Sequence, residues 1–180
     1  MNANRLWPLV LAATVGLMYF LQHRGIEQSP NDFVFRLPRL PLPAIKVLDG
    51  EGARVDALGD PRGEFILLDI WATWCVPCRR GLPSLDRLQE QLGGPDFQVV
   101  ALSIDADGTE AVKKFYRENG IRSLPVRLAA DSGALATLRA YGVPTTLLID
   151  PQSNEIGRLV GSARWDSKEM VDFLKVKIAR

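Results

Sequence analysis

The segment Phe65–Trp71, reading Phe-Ile-Leu-Leu-Asp-Ile-Trp, constrains the fold more than any other stretch of this chain. It is a nearly unbroken apolar run, too short for a typical globular helix and lacking the alternation of a half-exposed strand. Such a run marks a strand buried on both faces, which occurs in sheets covered by helices. The flanking segments agree. Residues 77–92 read as a helix ended by Gly93, Gly94 and Pro95, residues 97–104 as a second buried strand, and residues 109–118 as a helix stopped at Asn119-Gly120. Residues 44–48 form a short strand that turns at Asp49-Gly50-Glu51-Gly52. Further on, residues 126–130 suggest a strand and 132–141 a helix. Strands at 145–149 and 155–160 meet at Asp150-Pro151, and residues 167–178 make a closing helix. Strands alternating with helices, then a hairpin and a last helix, give an α/β fold with a central mixed sheet flanked by helices.

Ahead of this domain the composition changes. Residues 6–21 are uncharged and largely apolar, bounded by Arg5 and by His23 and Arg24. The run is close to the roughly 17–25 residues that span a bilayer. Large side chains from Met18 to His23 occupy the place where a leader peptidase would need small ones, which favours an uncleaved signal anchor at residues 1–24. Residues 25–41, with Pro30, Pro38 and Pro41, read as an extended spacer that holds the domain, residues 42–180, off the membrane. The 22 basic and 21 acidic residues leave a net charge of +1 without a basic run, so nothing points to nucleic acid.

The chemistry concentrates in Trp74-Cys75-Val76-Pro77-Cys78, which holds both cysteines of the chain. A domain stapled by disulfides would distribute its cysteines, so that class is excluded. The single histidine, His23, lies outside the domain, which leaves no histidine base or ligand there. Cys75 falls at the amino end of the helix, where unpaired amides and the helix dipole favour a thiolate, and Arg79 and Arg80 add positive charge. Cys78, one turn inward, faces the sheet. Pro77 suits the first turn, where an amide hydrogen is not needed. This pattern assigns Cys75 as the attacking thiolate and Cys78 as the resolving thiol. Zinc would need two further ligands that the domain does not offer. Copper(I) held by the two thiolates, as in a metallochaperone, is the rival of a different class, and two buried structural cysteines are the bland alternative.

Two further features fit the same chemistry. Asp69 interrupts the buried strand, where an unpaired carboxylate is expensive; with a raised pKa it can exchange protons with Cys78. The alternative is a carboxylate satisfied by nearby backbone amides. Gly142-Val143-Pro144-Thr145 places a proline at the start of a buried strand. A cis bond there would leave the Val143 backbone open to an extended substrate segment. Pro83, inside the helix, reads as a structural kink.

Taken together, Trp71-Ala72-Thr73-Trp74-Cys75-Val76-Pro77-Cys78-Arg79 and Gly142-Val143-Pro144-Thr145 resemble the thioredoxin superfamily, and within it the membrane-anchored TlpA/ResA/CcmG branch. The resemblance implies a thioredoxin fold with an amino-terminal strand extension and an insertion at about residues 120–138. It implies a cis-proline at Pro144, a buried acid at Asp69, and client contacts through Trp74, Val76, Pro77, Val143, Pro144 and Thr145. It also implies a periplasmic domain on a bacterial inner-membrane anchor, reducing disulfides of client proteins in cytochrome c or copper-oxidase assembly. A membrane thiol shuttle would supply the electrons. No cofactor or metal is expected beyond the Cys75–Cys78 disulfide itself. The chain departs from these relatives at Gly81, where ResA-like members carry glutamate, at Asp69, where many TlpA relatives have asparagine, and at Ala101, where thioredoxin has lysine. Strong oxidants of the superfamily place a histidine between the cysteines. Val76 and Pro77 offer no such group, which favours reduction over the alternative of a dithiol oxidase or isomerase.

Overall fold

The structure, a computed structural model, describes residues 32–56 and 64–179. The expected anchor at residues 1–24 and the spacer up to residue 31 lie outside the described residues, and among those described no helix is long and apolar enough to cross a membrane.

The strands are Val34–Pro41 (β1), Lys46–Leu48 (β2), Arg54–Asp56 (β3), Phe65–Trp71 (β4), Phe97–Ser103 (β5), Arg127–Ala129 (β6), Thr145–Ile149 (β7) and Asn154–Val160 (β8). The helices are Val76–Leu92 (α1), Thr109–Asn119 (α2), Ala134–Thr137 (α3) and Lys168–Ile178 (α4). All eight strands form one sheet in the order β1-β8-β7-β4-β5-β6-β2-β3. β4 lies parallel to β5 and antiparallel to β7, so the sheet is mixed and β4 sits inside it. The buried run at 65–71 therefore has the environment its composition demands. Its side chains alternate between two cores. Leu67 and Trp71 join Val99 and Ala101 with side chains from α1, α2 and α4. Ile66, Leu68 and Ile70 join Val100, Leu102, Leu147 and Leu138 on the other face.

The domain begins earlier than the proline content suggests. Residues 34–41, read as the end of a spacer, form the edge strand β1 and pair antiparallel with β8. Phe33 is buried, its ring 5.5 Å from that of Phe173 and 6.1 Å from that of Trp165. Two ion pairs hold the strand down, Arg36 to Glu155 and Arg39 to Asp150. Proline is compatible with this because β1 is an edge strand, and Pro38 falls between Phe35 and Leu40, where the register shifts.

The expected helix over 132–141 is also corrected, to the four residues of α3. Arg139 adopts a φ of 52°, which ends helical geometry. The carbonyls of Leu138 and Arg139 accept hydrogen bonds from the Arg158 guanidinium. Tertiary bonding thus overrides the helical preference of this alanine- and leucine-rich stretch.

Candidate active site

The site forms where β4 ends and α1 begins. Trp71 closes the strand, and the link to the helix is fixed by Asp105 at the end of β5. Its carboxylate accepts the Thr73 amide at 3.0 Å, the Thr73 hydroxyl at 2.5 Å and the Ser103 hydroxyl at 2.6 Å. The turn carrying Trp74 and Cys75 is therefore tied to the neighbouring strand. Cys75 is the N-cap of α1: its sulfur accepts the Cys78 amide at 3.2 Å. A sulfur in this position meets an otherwise unpaired helix amide and the positive end of the helix dipole. Cys75 and Cys78 are joined in a disulfide. Pro77 lies in the first turn and Pro83 inside the helix. The Arg79 guanidinium lies over the Phe115 ring, 5.7 Å from its centroid.

Val143 and Pro144, far along the chain, approach the same point. The bond between them is cis, and the Val143 carbonyl oxygen lies 3.7 Å from the Cys75 sulfur. The loop is braced on both sides. The Gly161 amide donates to the Pro144 carbonyl at 2.9 Å, and the Thr145 hydroxyl donates to the Gly142 carbonyl at 2.7 Å. Thr145 is buried, so its side chain shapes the loop from within. Trp74 and Val76, by contrast, are exposed beside the disulfide, at 64% and 58%.

Asp69 lies in β4 between Thr146 of β7 and Ala101 of β5. The Thr146 hydroxyl donates to it at 2.6 Å. Burial pushes its pKa up to about 7, against the smaller opposing effect of that hydrogen bond. Asp69 and Cys78 line a common hollow of about 10 Å³, the space of a single water, together with Gly81. A wider open groove of about 950 Å³ runs alongside, lined by Pro77, Gly81, Val143 and Pro144 among others. Every residue expected from sequence to serve the site is thus gathered around one disulfide.

Sequence reasoning missed Asp105, Glu155 and Arg158. Arg158 is buried, binds Glu155 through two contacts of 2.6 and 2.7 Å, and holds the carbonyls of Leu138 and Arg139, so it supports the chain leading to Val143. Burial pulls the Glu155 carboxyl up, but hydrogen bonds and charge from Arg158 and Arg36 outweigh it and hold Glu155 below its ordinary value. A signal for Asp105 did exist: a charged residue directly after the buried strand at 97–104. Among the described residues no cluster of three or more histidine, cysteine or acidic side chains is placed to hold a metal.

Comparison with known proteins agrees with this geometry. The chain is 32% identical over 178 residues to thiol-disulfide oxidoreductase ResA of Bacillus thuringiensis subsp. konkukian, a match covering 93% of this chain and 90% of the relative. It is 27% identical over 154 residues to thiol:disulfide interchange protein DsbE of Pseudomonas fluorescens biotype C, covering 86% and 82%. Among solved structures, a thioredoxin-family thiol:disulfide interchange protein from Chlorobium tepidum superposes with a TM-score of 0.63 at 20% identity, over 80% of this chain and 99% of that one, a likeness of fold. The family described as Redoxin matches residues 39–163. With a thioredoxin fold built around one Cys-x-x-Cys disulfide, this chain belongs to the Redoxin family and is a thiol:disulfide oxidoreductase.

Proposed function

We propose that the protein reduces disulfides in client proteins on the extracytoplasmic side of a bacterial membrane, with Cys75 attacking and Cys78 resolving. The observation that carries this reading is the placement of the Cys75 sulfur at the α1 N-cap, 3.2 Å from the Cys78 amide and 3.7 Å from the Val143 carbonyl. In the reduced protein the Cys75 thiolate attacks one client sulfur. A mixed disulfide forms and the other client sulfur leaves as thiolate. Cys78 then loses its proton to the Asp69 carboxylate across the small hollow between them and attacks the Cys75 sulfur. That step releases the second client thiolate and leaves Cys75–Cys78 oxidised, a transfer of two electrons in all. The two sulfurs supply the redox chemistry, and a membrane thiol shuttle returns the dithiol.

The client's backbone runs along the Val143–Pro144 loop, with Trp74, Val76 and Pro77 forming the apolar rim it meets. The resemblance to the TlpA/ResA/CcmG branch and the similarity to relatives named ResA and DsbE support clients in cytochrome c or copper-oxidase assembly. The apolar run at residues 6–21 supports a membrane anchor. The direction of transfer rests on Val76 and Pro77, which provide neither charge nor a side-chain donor to the Cys75 thiolate. A less stabilised thiolate makes a more reducing couple. Equilibration of the protein against a dithiothreitol redox buffer should give a midpoint nearer to thioredoxin's, about −270 mV, than to that of the oxidant DsbA, about −120 mV. A midpoint above about −180 mV, the region of protein disulfide isomerase, would replace reduction with oxidation or isomerisation.

A further inference from the structure

The groove beside the disulfide carries a charge pattern that thiol exchange by itself does not require. Arg36, Arg80, Arg158 and Arg164 all line it, and its lining contains no aspartate or glutamate. They come from β1, from α1, from β8 and from the stretch ahead of α4, so four separate parts of the chain converge on one sign of charge. Two of these charges share a single buried partner: Glu155 meets both Arg158 and Arg36. Arg80 is exposed and makes no salt bridge with any described residue. Arg158 is held in place by its bonds to Glu155 and to two backbone carbonyls, so its guanidinium is positioned before any partner arrives.

The groove is continuous with the chemistry, because Pro77, Val143 and Pro144 border it as well. A client segment laid along the Val143–Pro144 loop, with its cysteine at Cys75, must pass its neighbouring residues over this surface. Tyr141, fully exposed, and Val160, 61% exposed, add apolar contact at the same groove. We propose that this groove selects client segments carrying aspartate or glutamate within a few residues of the reactive cysteine. The proposal rests on the reading that Cys75 exchanges with client disulfides. An anionic segment gains because a concave wall of one sign focuses the field on it and raises its encounter rate, an advantage that salt screens.

The test uses the reduced full-length protein and three disulfide-linked peptides of equal length, whose cysteines are flanked by glutamate, glutamine or lysine. Each second-order rate is divided by the rate of the same peptide with dithiothreitol, which removes intrinsic differences in thiol reactivity. At low salt the glutamate peptide should react about tenfold faster than the lysine peptide, the lower end of electrostatic steering, and the gap should narrow in 0.5 M (about a 4 Å screening length) sodium chloride. Arg80→Gln should lower the glutamate-to-lysine ratio about threefold, the loss expected when one of several steering charges is removed, while Arg80→Lys preserves it. A ratio between peptides is unaffected by any change Arg80 makes to the Cys75 thiolate itself. Equal normalised rates for the three peptides, or a faster lysine peptide, would overturn the proposal while leaving thiol exchange intact. Failure to reduce any of the peptides, or insulin, would remove the exchange reading and the groove's role with it.

Discussion

Burying Asp69 in the middle of β4 places a carboxylate where its charged form is met by the Thr146 hydroxyl at 2.6 Å and by little else that is polar on its own strand. Its pKa rises from an ordinary 3.8 to about 7, with burial as the dominant cause. Ionising it therefore costs the folded protein roughly 4 kcal/mol more than it costs the unfolded chain. The folded state binds the proton more tightly, so stability from this group is full below about pH 4 and is lost as pH rises through about 7. Asp69→Asn should flatten that dependence: urea unfolding of the oxidised protein at pH 5 and pH 8 (either side of the shifted value) should show a smaller loss than in the wild type. The same variant should reduce clients at least about tenfold more slowly at neutral pH and recover towards pH 9, where Cys78 ionises without help. Unchanged rates across that range would return Asp69 to a purely structural role. Glu155 makes the opposite case, a carboxylate kept charged by two arginines. Glu155→Gln leaves the buried Arg158 without its countercharge and should cost about 3 kcal/mol in denaturant unfolding. Asp69 was legible in the sequence because a charge breaking an apolar strand is itself a signal. Arg158 was not, since the carbonyls it holds lie 19 and 20 residues away and no local pattern records them.

Elements with a strong internal pattern formed where the sequence placed them. Residues 65–71 and 145–149 match their strands, and the helix expected at 77–92 starts one residue earlier, at Val76. Elements whose existence depends on a distant partner did not announce themselves. β1 has no apolar alternation, and prolines disguise it; its stability comes from β8 and from Phe33 resting on α4 and Trp165. A chain beginning at residue 42 should accordingly unfold at lower urea than one beginning at residue 32. Phe33→Ala in the longer chain should cost about 3 kcal/mol, as for other buried aromatic truncations. Equal midpoints for the two chains would restore residues 34–41 to the role of a spacer. α3 erred the other way. Its residues favour helix, but the chain must turn at Arg139 to bring Val143 to the cysteines, and long-range bonds to Arg158 set that turn.

At the scale of the whole molecule, the sheet does what the sequence motif cannot do alone. Cys75 and Val143 are 68 positions apart, and they meet because β7 runs antiparallel beside β4, so its first residue lies near the last residues of β4. The motif identified the chemistry; the topology brings the cis-proline loop to the disulfide. The arginine-lined groove appears only at this scale, since each arginine is unremarkable in its own segment. The proposed membrane anchor predicts that the intact protein stays in the membrane pellet after a high-salt wash, while a chain of residues 32–180 does not. The proposed division of labour between the two sulfurs is measured directly by mixed-disulfide trapping. With a disulfide-bonded client protein, Cys78→Ser should accumulate a covalent complex through Cys75, because attack proceeds and resolution cannot. Cys75→Ser should form none. A stable complex with Cys75→Ser, and none with Cys78→Ser, would reverse the roles of the two cysteines and contradict the mechanism.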